Sequence, residues 1–242
     1  MTLSLLISSD VKKERNMNEN IIELENITKI YNKGTNREVV ALKNIDLGIK
    51  MNETVILKGP SGSGKSTLLS IIAALTKPTV GLVKVKGEFI SKIPDSFAAL
   101  FRRKHIGFIF QKFNLLEDMS VFDNVVLPLI PDTIGAKALE EKALQVMEKF
   151  SIVHKQNEPV KNLSGGEQQR CAIARAMINS PEIILADEPT ANLDTKLSNE
   201  FIDIIKELKN EGKTIVIATH DPRFEGLEFI DRIVEIKEGR IV

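Results

Sequence analysis

The stretch "TVILKGPSGSGKSTLLSIIAAL", Thr54 to Leu75, decides how this chain is read. Its first five residues are nearly all apolar, the glycines at 59, 62 and 64 break the run, and apolar residues resume behind Lys65. That is a strand, a flexible loop and a helix in succession. Gly59, Gly64, Lys65 and Ser66 satisfy G-x-x-x-x-G-K-[ST] in the context that a phosphate-binding P-loop requires. Glycine permits backbone angles closed to other residues, so successive N–H groups can turn inward around an anion. The loop Gly59, Pro60, Ser61, Gly62, Ser63, Gly64, Lys65, Ser66 and Thr67 is therefore expected to hold a nucleotide. Lys65 reaches the outer phosphates, the Ser66 hydroxyl ligates magnesium, and the helix adds its positive dipole end. A glycine-rich turn matching by chance would leave the flanking strand and helix unexplained.

Bulk properties agree with a folded α/β domain or one domain with a sub-lobe. At 242 residues the chain can bury a sizeable core. Lysine plus arginine balances aspartate plus glutamate, 33 against 33, so no overall basic footprint points to nucleic acid as a partner. The single cysteine, Cys171, excludes an internal disulfide framework and fits a reducing compartment. It lies among alanines and isoleucines at helical spacing, as a buried small residue would. No apolar run approaches the roughly 18 residues needed to cross a bilayer as a helix. The start, "MTLSLLISSDVKKER", has its lysines after its apolar patch, the wrong order for a signal peptide. Residues 1–16 are expected to be a disordered tail, with Met17 a candidate natural start and residues 17–242 a single domain.

Residues 21–31 and 39–50 alternate as strands do and are joined by the turn-forming "NKGTN", which predicts a hairpin on one flank. "TVILK", "EIILAD" and "TIVIAT" are short apolar runs, the pattern of parallel strands covered on both faces. Each ends in polar residues, and α/β sheets bind ligands at the carboxyl ends of their strands. "KALEEKALQVMEKF" places Leu139, Ala143, Val146, Met147 and Phe150 on one helical face, and about 112–170 reads as a mainly helical sub-lobe. "DRIVEIKEGRIV" reads as a closing hairpin about Glu238-Gly239.

Two further motifs narrow the chemistry. "IILADEP" ends an apolar strand in Asp187 and Glu188. Asp187 can hold magnesium through water, and Glu188, pointing elsewhere, can polarise an attacking water. An acidic turn at a strand end is the plain alternative; the P-loop at the end of a similar strand favours the functional reading. "LSGGEQQR", Leu163 to Arg170, precedes a helix and offers Ser164, Gly165 and Gly166 at its N-terminus, a second place for an anion. Ser164 and Glu167 also fit a capping box, which leaves the glycine pair and "EQQR" unaccounted for.

"LSGGEQQR" resembles the signature motif of ATP-binding cassette proteins, and the resemblance runs through nearly all of residues 21–242. It implies a P-loop ATPase fold of the α/β class, with a mainly parallel core sheet, an antiparallel β flank and a helical sub-lobe. It also implies a head-to-tail dimer holding two ATP molecules, each bound by one chain's P-loop and, in trans, by Ser164, Gly165, Gly166 and Asp194 ("TANLD") of a second copy. Tyr31 matches the position whose ring stacks on adenine. Gln111, in "IGFIFQ", matches the glutamine that contacts magnesium and the water, and His220, in "IVIATHD", matches the switch histidine. Singly, Tyr31 reads as a strand aromatic, Gln111 as a loop residue and His220 as a loop cap. His105 and His154 match no motif and are expected at the surface.

The implied reaction is hydrolysis of ATP with magnesium, carried by Lys65, Gln111, Glu188 and His220. The resemblance also implies a separate integral membrane permease as partner and a cytoplasmic location, peripheral on the inner face of the membrane. In the family, "KFNLLEDMSVFDNVVLPL" after Gln111, with Phe113, Leu115, Leu116, Phe122 and Val125, forms the groove for a membrane subunit's helix. Core packing is the alternative for most of these residues. "ALKNIDL", "FNLL" and "NVVLPL" look like the macrolide and lipoprotein exporter subfamily, whose partners commonly transmit mechanical work. "NEPVKNLSGG" and "LLEDMSV" depart from that subfamily's usual pattern. The competing reading is a cytosolic ATPase of the same type acting on a soluble partner.

Overall fold

A computed structural model describes residues 20–191 and 193–242. The expectations for residues 1–16 and Met17 lie outside those residues. The chain forms, in order, β1 (Asn20–Tyr31), β2 (Val39–Lys50), β3 (Thr54–Lys58), α1 (Lys65–Ile72), β4 (Val80–Val85), β5 (Glu88–Phe89), α2 (Asp95–His105), β6 (Ile106–Ile109), α3 (Val121–Val126), α4 (Ala136–Lys149), α5 (Gly165–Met177), β7 (Ile183–Asp187), α6 (Thr195–Asn210), β8 (Thr214–Thr219), β9 (Arg232–Lys237) and β10 (Arg240–Ile241).

The strands make two sheets. The larger runs β10-β9-β3-β8-β7-β6, and the smaller runs β2-β1-β4-β5. In the larger, β9, β3, β8, β7 and β6 are parallel and only β10 is antiparallel. The smaller is antiparallel throughout. The apolar runs in the sequence are explained by what covers the larger sheet. Val55, Leu57, Val216, Ala218, Ile183 and Leu185 face a core shared with α1 and the antiparallel sheet. Their alternate neighbours Ile56, Ile215, Ile217, Ile184 and Ala186 face a second core shared with α3, α4, α5 and α6. Side chains alternate across a strand, so a strand covered on both faces is apolar at every position. Burying each valine, leucine or isoleucine among them contributes about 1.5–3 kcal/mol.

The predicted flank hairpin is present, with bulged register between β1 and β2. The sequence reading did not separate out β4 and β5, which extend that sheet, or α2 and α6. The closing hairpin turns through Glu238 and Gly239, both at positive φ. From 112 to 170 helices α3, α4 and the start of α5 are interrupted by single turns of 3-10 helix and loop. The predicted apolar face of α4 packs inward: Ala143, Val146, Met147 and Phe150 are buried, and Leu139 is partly buried against the same core. His154 is exposed, but His105 is half-buried, contrary to expectation. Its ring lies 4.9 Å from that of Phe101, and Lys86 Nζ is 3.0 Å from its Nδ1. Burial, then the Lys86 charge, hold its pKa below the ordinary histidine value.

In the register of the larger sheet, Lys58 pairs with Thr219 and Asp187 with Ala218. The carboxyl ends of β3, β8 and β7 therefore lie side by side, and the loops leaving them open on one edge.

Candidate active site

The loop between β3 and α1 is shaped by close approaches. A Cβ at Gly59 would lie 2.1 Å from the carbonyl oxygen of Ile236, and Gly64 has a φ of 109° with a Cβ position 2.7 Å from the Ala41 carbonyl oxygen. Only glycine suits either place. The turn of the closing hairpin supports the loop from behind, since Gly239 N donates to Ser63 O at 3.0 Å and Gly239 O accepts from Lys43 N at 2.8 Å. α1 starts at Lys65 without a side-chain cap, so its first N–H groups are left to the loop. Ser63 Oγ is buried and has no hydrogen-bond partner among the described residues. An orphaned donor in such a loop fits a phosphate oxygen.

Five of the expected side chains converge here. Lys65 is only 4% exposed, and its Nζ donates to the carbonyl oxygens of Gly59 at 2.7 Å and Pro60 at 3.1 Å. The same Nζ lies 3.3 Å from Glu188 Oε1. Glu188 in turn accepts from the His220 backbone N–H at 3.4 Å, and its Oε1 is 3.0 Å from His220 Nδ1. Ser66 Oγ donates to Asp187 Oδ1 at 2.7 Å. Asp187 and Glu188 diverge because Glu188 leaves the strand at a φ of 43°, a region uncommon for a non-glycine residue. Burial pushes the Asp187 carboxyl up, the Ser66 hydroxyl opposes this, and the Glu188 charge adds to it.

The other expected residues lie elsewhere on the molecule. Ser164 caps α5 in a reciprocal capping box: its backbone N–H donates to Glu167 Oε2 at 2.8 Å and its hydroxyl to the same oxygen at 2.7 Å. These bonds hold the Glu167 carboxyl below its usual range. Gly165 is exposed and a Cβ there would meet nothing within 4 Å. A Cβ at Gly166 would lie 2.6 Å from Leu197 Cδ2, so the starts of α5 and α6 are adjacent. Asp194 caps α6, accepting from Leu197 N at 2.9 Å. Ser164, Gly165, Gly166 and Asp194 thus form a second group. Gln111 is exposed in the turn after β6, and Tyr31, 39% exposed, ends β1 with Lys29 Nζ 4.9 Å from its ring centroid.

Several residues escaped the sequence reading. Gln169 is buried and donates to the Pro189 carbonyl at 3.1 Å. Thr190 donates to Asp221 at 2.6 Å. The signal was present in the polar residues flanking the two motifs, but their pairing is not local. Of the segment after Gln111, Val125 is core, Phe113, Leu115 and Phe122 are half-buried and Leu116 is exposed. A groove of about 310 Å³ opens beside it, lined by Leu75, Phe108, Phe110, Pro128 and Pro131 with Arg102. Only Pro128 in that lining comes from the quoted stretch; the rest comes from α2, the end of α5, β6 and the segments just after α1, β6 and α3. Cys171 is fully buried, as expected, and burial pushes its thiol up to about 12.

The family model described as ABC transporter matches residues 42–191. The lipoprotein-releasing system ATP-binding protein LolD of Pseudoalteromonas translucida is 41% identical over 226 residues, covering 93% of this chain and 96% of that protein. The macrolide export ATP-binding/permease protein MacB of Hyphomonas neptunium is 40% identical over 223 residues, 92% of this chain but 34% of that longer protein. The dimeric post-hydrolysis structure of the ATP-binding cassette MJ0796 of Methanocaldococcus jannaschii, bound to ADP and Pi, matches with a TM-score of 0.83 at 40% identity. That match covers 91% of this chain and 96% of that one.

Proposed function

The chain belongs to the ABC transporter family, and from that premise we propose which of its residues carry ATP hydrolysis and how hydrolysis is passed to a membrane partner. It is an ATP-binding, ATP-hydrolysing subunit that works as a dimer with a membrane permease. The observation that carries the assignment of residues is the convergence of Lys65, Ser66, Asp187, Glu188 and His220 at neighbouring strand ends.

ATP lies with its phosphates in the loop Gly59–Thr67, and Tyr31 stacks on adenine. A γ-phosphate competes with Glu188 for Lys65 Nζ. Once Lys65 turns to phosphate, Glu188 is free to orient a water and accept its proton, while His220 holds the Glu188 carboxylate from the other side. The water attacks in line and the bond to the leaving ADP oxygen breaks. Lys65 and the loop N–H groups stabilise the developing charge in a site already organised for it. The Ser66 hydroxyl and the Asp187 carboxylate are paired hard oxygen donors that fit Mg2+, with Gln111 assigned as a further ligand by its motif; the ion would neutralise phosphate charge when bound. Ser164, Gly165, Gly166 and Asp194 close on the ATP of the second copy, so hydrolysis removes a bridge between subunits and opens the dimer.

The apolar groove beside α2 receives a helix of the membrane subunit, and the work done is export, lipoprotein release or transmission of force. No described helix is long and apolar enough to cross a membrane. MacB carries its permease in the same chain, and this chain spans the ATP-binding third of it. With a separate permease as partner, this subunit sits at the inner face of the cytoplasmic membrane. The test is capture of tagged Glu188→Gln protein from detergent-solubilised native membranes with ATP and magnesium. Stoichiometric recovery of one multi-spanning protein supports this reading; recovery of soluble partners alone overturns it.

A further inference from the structure

The loop that carries Glu188 and the loop that carries His220 are joined twice. The first joint is the contact of those two side chains, with Glu188 Oε1 3.0 Å from His220 Nδ1. The second lies one and two residues further on: Thr190 Oγ1 donates to Asp221 Oδ2 at 2.6 Å. Thr190 is 2% exposed and the Asp221 side chain 11%, so water does not compete freely for this bond. Asp221 is itself held rigid. It accepts from Arg223 Nε at 2.9 Å and from the Arg223 backbone N–H at 3.0 Å, and its own N–H donates to Thr219 Oγ1 at 3.0 Å. Between the joints, Gln169 Nε2 holds the Pro189 carbonyl at 3.1 Å from the side of α5. Every residue from 188 to 190 is thus tethered by a side chain.

Glu188 needs that restraint, because its φ of 43° is a conformation that non-glycine residues rarely hold unaided. His220 is 64% exposed and has little packing of its own. We propose that Thr190 and Asp221 are positioning residues for hydrolysis: their hydrogen bond staples the two loops together so that Glu188 and His220 meet at the P-loop. Neither belongs to the residues assigned above to nucleotide binding. The staple acts on the geometry of the reacting water, so its loss lowers the rate of chemistry and leaves ATP binding alone. This rests on the catalytic assignment of Glu188 made above.

Thr190→Val removes the hydroxyl at nearly constant volume, Thr190→Ser restores it, and Asp221→Asn weakens it from the other side. In steady-state ATPase assays Thr190→Val should lower kcat on the order of tenfold with the KM for ATP within about twofold of the parent. Thr190→Ser should recover the rate, and Thr190→Val combined with Asp221→Asn should be no slower than the slower single variant. A kcat for Thr190→Val within about twofold of the parent overturns the proposal, as does a Ser variant as slow as the Val variant or a change that falls on KM. If Thr190→Val fails to fold by circular dichroism, Asp221→Asn and Thr190→Ser decide alone: normal kcat in Asp221→Asn, or loss in Thr190→Ser, overturns it. Glu188→Gln run in parallel separates the two readings. An active Glu188→Gln defeats the catalytic assignment, whereas an inactive Glu188→Gln beside a fully active Thr190→Val defeats only the staple.

Discussion

Lys65 Nζ and Glu188 Oε1 lie 3.3 Å apart, with their side chains 4% and 12% exposed. Two residues from different motifs, one proposed to meet phosphate and one to meet water, form an ion pair. The pair costs little to bury because Lys65 also donates to two carbonyl oxygens and Glu188 also meets His220.

Replacing Glu188 by Gln keeps the shape and removes the base. Turnover is expected to fall by on the order of 100-fold or more, while ATP binding persists and the ATP-bound dimer accumulates on size-exclusion chromatography. ADP, which offers no bridging γ-phosphate, should bind the Gln variant more tightly than the parent because Lys65 is no longer held by a carboxylate. Near-normal turnover would remove Glu188 from the mechanism.

Two glycines give opposite outcomes. Gly165→Ala has open space around it and sits in the first turn of α5, so the fold should be as stable as the parent or slightly more so. Any loss of ATP-dependent dimerisation then reports on contact with the second copy. Gly59→Ala would press a Cβ against the Ile236 carbonyl oxygen at 2.1 Å, and backbone cannot yield as a side chain does. A stability loss of about 1–3 kcal/mol in urea unfolding is expected, together with loss of nucleotide binding.

Asp221 predicts an acid-sensitive term. Burial pushes its carboxyl up, but hydrogen bonds from Arg223 and Thr190 outweigh burial and bring it from 3.8 down to about 2. A carboxyl depressed on folding stabilises the native state above its unfolded value and loses that contribution as pH falls through its folded value. The stability gap between parent and Asp221→Asn should therefore be full above about pH 4, at roughly 1–2 kcal/mol once solvent screening of this partly exposed group is allowed for, and close as pH falls toward 2. A gap that does not change with pH would show that the ion pair is not its source.

Cys171 should be inert in the folded protein. Its thiol is fully buried and pushed up to about 12, so almost no thiolate exists at pH 8. A thiol reagent at that pH should label it at the rate of unfolding and label denatured protein at once. Rapid labelling of native protein would contradict this packing.

The residues alone determined what is periodic or contiguous. The P-loop, the apolar strands with polar carboxyl ends, the inward face of α4 and the closing hairpin were legible because each depends on neighbours a few positions away. The same holds for the capping box at Ser164. Tertiary structure decided what depends on strand order. Ser66 meets Asp187 across 121 positions, and His220 meets Glu188 across 32, only because β3, β8 and β7 lie next to one another in parallel register. Nothing local in Thr190 or Asp221 announces their bond, and nothing near His105 in sequence shows that Lys86 and Phe101 enclose it. β4 joins a sheet begun about sixty residues earlier, with β1 as its partner edge, and β5 pairs onto β4. Spacing along a chain encodes which face a side chain takes; which strand edges become neighbours is set by how the two apolar cores close, and that is where this site is assembled.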